Sequence, residues 1–130
     1  MKYMLMMSSP REGYEQYKNW PKKDLEANIA FMQAFGKKLR ESGELVDTLG
    51  LASPMRAKLV RAGKDGIPIT DGVFPESKEF LAGYFIIDVE SAARAEQIAA
   101  ELSAAPGPAP ADGRQHWIEL REIMTSHRDI

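Results

Sequence analysis

The run FLAGYFIIDV, from Phe80 to Val89, constrains the fold more than any other part of the sequence. Successive side chains of a β-strand point to opposite faces of the sheet. Both alternating sets of this run are apolar as far as Asp88: Leu81, Gly83, Phe85, Ile87 and Val89 on one side, and Phe80, Ala82, Tyr84 and Ile86 on the other. A strand with two apolar faces is typically covered on both. We therefore expect this run to be the central strand of a sheet.

The size and charge of the chain limit its class. Its 130 residues suffice for one domain, 1–130, with a real core. A net charge of -2 argues against a nucleic-acid partner. No stretch approaches the roughly 20 apolar residues that span a bilayer, so we expect no membrane association. The sequence has no cysteine, which excludes disulfides and thiolate chemistry and favours a cytoplasmic location.

Two helices are predicted. The clearer one runs from Pro21 to Ser42, with an apolar stripe at Leu25, Ile29, Met32 and Leu39, and Gly43 is a natural left-handed stop. The second runs from Ala92 to Ser103, with Ser91 as its N-cap.

The remaining segments alternate between strands and loops. Further strands are predicted at 2–7, 44–52, 57–62, 67–70 and 115–124, a loop at 8–20, and a tight turn at Asp71-Gly72. The resulting order matches the ferredoxin-like α+β fold, a βαββαβ sheet with two helices on one face. Tyr14, Tyr17 and Trp20 in the loop could form a lid over a cavity or simply anchor the loop.

The other face of such a sheet is bare in a single chain. Because both sides of the central strand are apolar, the bare face would be a large sticky patch. Pairing with a second copy would cover it, so we expect a homodimer of the dimeric α/β barrel type, with a cavity between the sheets.

Three residues are candidates for lining that cavity. Alternation along the last strand places Glu119 and Arg121 on the bare face, where charges are costly unless paired or solvated. They could bind a ligand or form an ion pair. Tyr84 could present its hydroxyl to the cavity or pack in the core.

The best candidate for catalysis is Asp71. A carboxylate at the edge of an apolar cavity could act as a general base, although Asp-Gly is also a common turn dipeptide. His116 could assist if it reaches Asp71; otherwise it is an exposed or packed residue. Two separated histidines without cysteine predict no metal site. The sequence also lacks a glycine-rich phosphate-binding loop, so we expect no cofactor.

The segment TDGVFPESKEFLAGYFIIDVES, Thr70 to Ser91, resembles the signature of the YCII-related family, in particular its branch known for an Asp-Gly-Pro-Phe motif. The matching positions here are Asp71, Gly72, Phe74, Glu76, Ser77, Lys78, Glu79, Gly83, Tyr84 and Asp88. Val73 departs from the proline usual in that branch. The opening MKYML and the closing IELR are similar to the branch as well.

The resemblance implies a dimeric ferredoxin-like barrel but no single reaction. Some relatives are proposed to use a His-Asp pair, and the histidine of that pair would lie near the first strand and helix. The histidines of this chain, His116 and His127, lie at its far end. Our first hypothesis is therefore a small-molecule-binding protein or cofactor-free lyase or isomerase. The second hypothesis is a non-catalytic accessory or regulatory protein, because relatives in this branch often accompany sigma factors. The third is a purely structural dimer.

Overall fold

The computed structural model describes residues 1–72, 79–108 and 116–130. A four-stranded sheet contains β1 (Lys2–Ser9), β2 (Leu45–Gly50), β5 (Phe80–Asp88) and β6 (Glu119–Glu122). A separate two-stranded ribbon is formed by β3 (Lys58–Ala62) and β4 (Pro68–Gly72). The helices are α1 (Arg11–Lys18), α2 (Lys22–Glu41) and α3 (Ala92–Ser103).

The topology confirms the expected ferredoxin-like α+β fold. The strand order is β2-β5-β1-β6, and every neighbouring pair is antiparallel. Helix α2 connects β1 to β2, and α3 connects β5 to β6. The ribbon is inserted between β2 and β5, and the predicted central strand does lie inside the sheet.

The ends of the two long helices follow the local chemistry predicted for them. Helix α2 ends before Gly43, whose φ of 78° is the left-handed conformation that glycine adopts without steric cost. At the start of α3, the Ser91 hydroxyl accepts a hydrogen bond of 3.1 Å from the amide of Arg94. Both predicted boundaries are confirmed.

The core lies between the sheet and the two long helices. Its largest fully buried side chains come from β1, α2, β5 and α3: Leu5, Leu39, Ile87 and Ile98. Register aligns these layers, because Leu5 lies opposite Phe85 on one side and Leu120 on the other. The rings of Phe35 and Phe85 meet edge to face at 5.1 Å and join α2 to the sheet.

The opposite face of the sheet is left without a covering layer in the described part of the chain. Met4 pairs with Ile86 and Met6 with Tyr84, so these four side chains form a continuous half-buried strip across β1 and β5. We call this strip, together with the more exposed Leu49 of β2, the open face.

Three local predictions were wrong. The segment predicted as a loop at 8–20 contains α1, because good helix formers follow Pro10 and a single Gly13 costs only about 1 kcal/mol. Asp71 and Gly72 are not a turn: they continue β4 and pair with Leu59 and Lys58. The last strand is shorter than 115–124, since within the described residues it begins only at Glu119.

Among the described residues, no helix has both the length and the apolar character needed to cross a bilayer.

Candidate ligand-binding cleft

A cleft of about 970 Å³ opens on the helix side of the sheet, at the end where β1 leads into α1. The α2 helix, the C-terminal end of α3 and the segment leading into β6 complete its walls. Apolar side chains dominate the lining and include Met7, Ile29, Met32, Leu51, Leu102 and Ile118. A volume of this size, walled by apolar groups, is typical of small-molecule sites.

Aromatic rings line the cleft from two segments. The rings of Tyr17 and Trp20 lie 4.9 Å apart in a tilted arrangement, and both line the cleft. Trp20 also packs directly on Gly107, where an added Cβ would lie 2.7 Å from the indole ring. Trp117 lines the cleft too, but 92% of its surface is exposed.

Polar side chains of the cleft hold its walls in place. The Asn28 amide donates a 2.9 Å hydrogen bond to the carbonyl of Pro106, which fixes the segment after α3 against α2. The Ser103 hydroxyl donates to the carbonyl of His116, which ties the end of α3 to the approach of β6. Both contacts join segments far apart in sequence, so the cleft is a product of the complete fold.

The cleft carries little fixed charge. No aspartate or glutamate is among its described lining residues, and Lys18 is the one lysine or arginine there. An ammonium group entering this cleft would therefore find no described carboxylate partner.

The two residues predicted to be catalytic lie in different parts of the fold. His116 lines the cleft, although it is exposed. Asp71 lies on β4 of the ribbon, is exposed, and is absent from the described cleft lining. Its Oδ1 accepts a 2.8 Å hydrogen bond from the amide of Gly72, the local backbone contact expected of a structural aspartate. No contact between Asp71 and His116 is seen in the described part of the structure.

Glu119 and Arg121 lie on the open face, as the alternation of β6 predicts. Glu119 is opposite Met6 and Arg121 is opposite Met4. The two side chains approach each other, with 3.8 Å between Nη1 of Arg121 and Oε2 of Glu119. Both are largely exposed, so this ion pair contributes little stability in a single chain.

Tyr84 also lies on the open face, and its hydroxyl is hydrogen-bonded to the carboxylate of Asp47. Its hydroxyl donates a 3.3 Å hydrogen bond to Oδ2 of Asp47, a residue that the sequence did not single out. Partial burial, followed by the negative charge and hydrogen bond of Asp47, raises the pKa of Tyr84. The open face thus has polar groups at its margins, separate from the cleft behind the sheet.

A third polar cluster joins α3 to the start of β2. The Arg94 guanidinium donates to both carboxylate oxygens of Glu44, at 2.8 and 2.9 Å. Ser42 adds a hydroxyl donor at 2.8 Å. The Arg94 hydrogen bonds lower the pKa of Glu44 despite its burial. These groups satisfy one another, so the cluster is structural.

The residues missed by sequence reasoning are those of the cleft. Ile29 and Met32 were assigned to the core stripe of α2, because periodicity identifies an inward face but not whether that face is filled. The signal that could have found them was the pairing of Tyr17 and Trp20 with the proline-rich segment after α3. Among the described residues, no group of three or more acidic or histidine side chains is placed to hold a metal ion.

A four-stranded antiparallel sheet with α2 and α3 on one face defines a ferredoxin-like α+β protein, here with an apolar cleft beneath the helices. The chain belongs to the YCII-related domain family, whose family model matches residues 1–107. The matched range includes most of the cleft and the ribbon, whereas β6 follows it. No curated protein matches the chain.

Proposed function

We propose that this protein binds a small, largely apolar molecule in the cleft between the helices and the sheet. The observation that carries the proposal is a space of about 970 Å³ with apolar walls, beside the buried core between the helices and the sheet. The contacts of Asn28 and Ser103 support it, because they fasten to one another the segments that form the walls.

The lining also favours a ligand class. The rings of Tyr17 and Trp20 offer surfaces for a planar or aliphatic body. Lys18 and the absence of described carboxylates favour a neutral or anionic polar group over a cationic one. We therefore propose a neutral or weakly acidic apolar compound.

Binding without chemistry is the simpler function for a single chain. A lyase or isomerase using Asp71 as its base would require that side chain to reach the ligand, and Asp71 lies on the ribbon outside the described lining. The catalytic roles of Asp71 and His116 stay predictions, as do ligand contacts by Tyr84, Glu119 and Arg121.

The protein acts, in this proposal, as a cytoplasmic homodimer joined through the open face. Support comes from the half-buried strip of Met4, Met6, Tyr84 and Ile86, which a second sheet would cover. We also propose that the chain belongs to the Asp-Gly-Pro-Phe branch of its family, on the basis of Asp71, Gly72 and Phe74 in the sequence.

The binding proposal is tested with a neutral fluorescent probe, N-phenyl-1-naphthylamine, and its anionic analogue 1-anilinonaphthalene-8-sulfonate. The two tryptophans of the sequence both line the cleft, so a bound probe should quench them by energy transfer. Ile29→Arg places a charge in the cleft at an exposed position, and we expect it to weaken binding of the neutral probe roughly tenfold or more.

Ala30→Arg is the matched control, because the neighbouring residue is exposed and is not part of the lining. Ala30→Arg and Asp71→Asn should both bind the probes as the wild type does. Equal probe affinity in Ile29→Arg and Ala30→Arg would exclude the cleft as the binding site. A loss in Asp71→Asn would instead favour a site that includes the ribbon.

A further inference from the structure

The ribbon of β3 and β4 is exposed to solvent along its whole length in the described part of the chain. All ten residues of its two strands are exposed. The strands and the turn between them contain four large apolar side chains: Leu59, Val60, Ile67 and Ile69. Val60 is 63% exposed and Ile67 is 66% exposed. The ribbon and its turn therefore present four exposed large apolar side chains close together in the chain.

A ribbon of this kind is not expected to be stable in water by itself. Two-stranded antiparallel ribbons are marginal unless a third strand or another layer packs on them. Leu59 and Ile69 lie on one face, beside Arg61 and Asp71. The other face has one charged residue, Lys58, and five uncharged ones: Val60, Ala62, Pro68, Thr70 and Gly72. Neither face is made mainly of charged residues, as a face designed for solvent would be.

We propose that the ribbon is an arm that packs against a second copy of this chain. The same chain exposes another uncovered apolar surface, the open face, and a two-fold contact covers matching surfaces on both copies at once. An unrelated partner on the ribbon would leave the open face uncovered. The inference rests on the proposed homodimer and adds a second, separate contact to it.

The distribution of charge supports the same partner. From Pro54 to Gly72 the chain has four basic residues, Arg56, Lys58, Arg61 and Lys64, against Asp65 and Asp71, which gives this segment a net charge of +2. The whole chain has a net charge of -2, so the remainder carries -4. Opposite charge on the arm and on the body favours association of one copy's arm with the other copy's body.

Ile67→Glu tests the arm by sedimentation equilibrium of the full chain. We expect the dimer dissociation constant to rise roughly tenfold or more, because a charge would enter an apolar contact. Ile130→Glu is the matched control: Ile130 is 97% exposed at the C-terminus, and its substitution should leave the constant unchanged. Circular dichroism of both variants checks that the sheet is retained.

A second measurement does not depend on disrupting the ribbon. Because the chain has no cysteine, Val60→Cys and Ile130→Cys each introduce a single thiol. We expect maleimide to modify Cys at position 60 several-fold more slowly at protein concentrations where the dimer forms than at dilution. The rate at position 130 should not depend on concentration.

The outcomes separate the arm from the dimer itself. A wild-type protein that dimerises, with Ile67→Glu unchanged and position 60 equally reactive at all concentrations, would overturn the arm while leaving the open-face dimer intact. A wild-type monomer would overturn both. Neither result bears on the binding of probes in the cleft, which is measured independently.

Discussion

At the scale of single residues, the most closely hydrogen-bonded ion pair among the described residues joins Glu44 to Arg94. Glu44 is the first residue after Gly43, and its side chain is only 16% exposed. A partly buried carboxylate is costly unless it is hydrogen-bonded, and Arg94 and Ser42 supply the donors. The cluster therefore fixes the start of β2 against α3.

Glu44→Gln should lower the free energy of unfolding by about 1–2 kcal/mol at pH 7, because it weakens two charge-assisted hydrogen bonds. Arg94 lowers the pKa of Glu44 in the folded state from its ordinary value of 4.5, so the ionised carboxylate stabilises the fold. This contribution is fully present above pH 4.5 and is lost as the pH falls through the lower folded pKa.

Urea unfolding of the wild type and Glu44→Gln from pH 7 down to pH 3 measures this effect. The difference between them should be constant to about pH 5 and shrink below it. Glu41→Gln is the control, since Glu41 makes only an exposed contact of 3.8 Å with Lys37 and should change stability little. A difference that persists undiminished at pH 3 would exclude the ion pair as its cause.

At the scale of elements, the two glycines of the α2 region have opposite roles. Gly36 lies inside the helix, is buried, and has open space where a Cβ would be. Gly43, just after the helix, has a φ of 78° and terminates it. The helix does not need a glycine at position 36, whereas the left-handed backbone at position 43 favours one.

Gly36→Ala should therefore stabilise the protein by about 0.5–1 kcal/mol, since alanine is the better helix former and meets no atom within 4 Å. Gly43→Ala should destabilise it by about 1–2 kcal/mol, because it forces a left-handed conformation on a residue with a Cβ. Denaturant midpoints of the pair measure both signs. A destabilising Gly36→Ala would contradict this prediction, because it would mean that other atoms occupy the space beside Gly36 in solution.

At the scale of the whole molecule, the described part of the sheet has one side covered by helices and one uncovered side. The helices cover the side that holds the core and the cleft, and the open face and the ribbon remain uncovered in the described structure. We expect such an uncovered apolar surface to be an interface. Assembly, and not the single chain, would then complete the structure.

Ile86→Glu tests the open face. Ile86 pairs with Met4 in the middle of that face, and a carboxylate there would be buried without a partner in a sheet-to-sheet contact. We expect a dimeric wild type to become monomeric, with a dissociation constant raised roughly a hundredfold. Light scattering with Ile130→Glu as control measures the change; a variant that dimerises normally would place the contact elsewhere.

Much of the fold could be predicted because its signals are local. The apolar run from Phe80 to Val89 predicted the central strand, and alternation along β6 correctly assigned Glu119 and Arg121 to the open face. Ser91 and Gly43 indicated helix ends because capping and left-handed conformations depend on neighbouring residues alone. The order of these elements then left few topologies other than the ferredoxin-like one.

The candidate site was decided by tertiary structure. Periodicity placed Ile29 and Met32 on the inner face of α2, but only the packing of Trp20 on Gly107 and of Asn28 on Pro106 leaves a cleft beside them. Likewise, the local chemistry of Asp71-Gly72 favoured a turn, whereas pairing with β3 extended the strand through both residues. The sequence by itself determined which faces are apolar; only contacts between distant segments determined which are filled, which are open, and where a cavity remains.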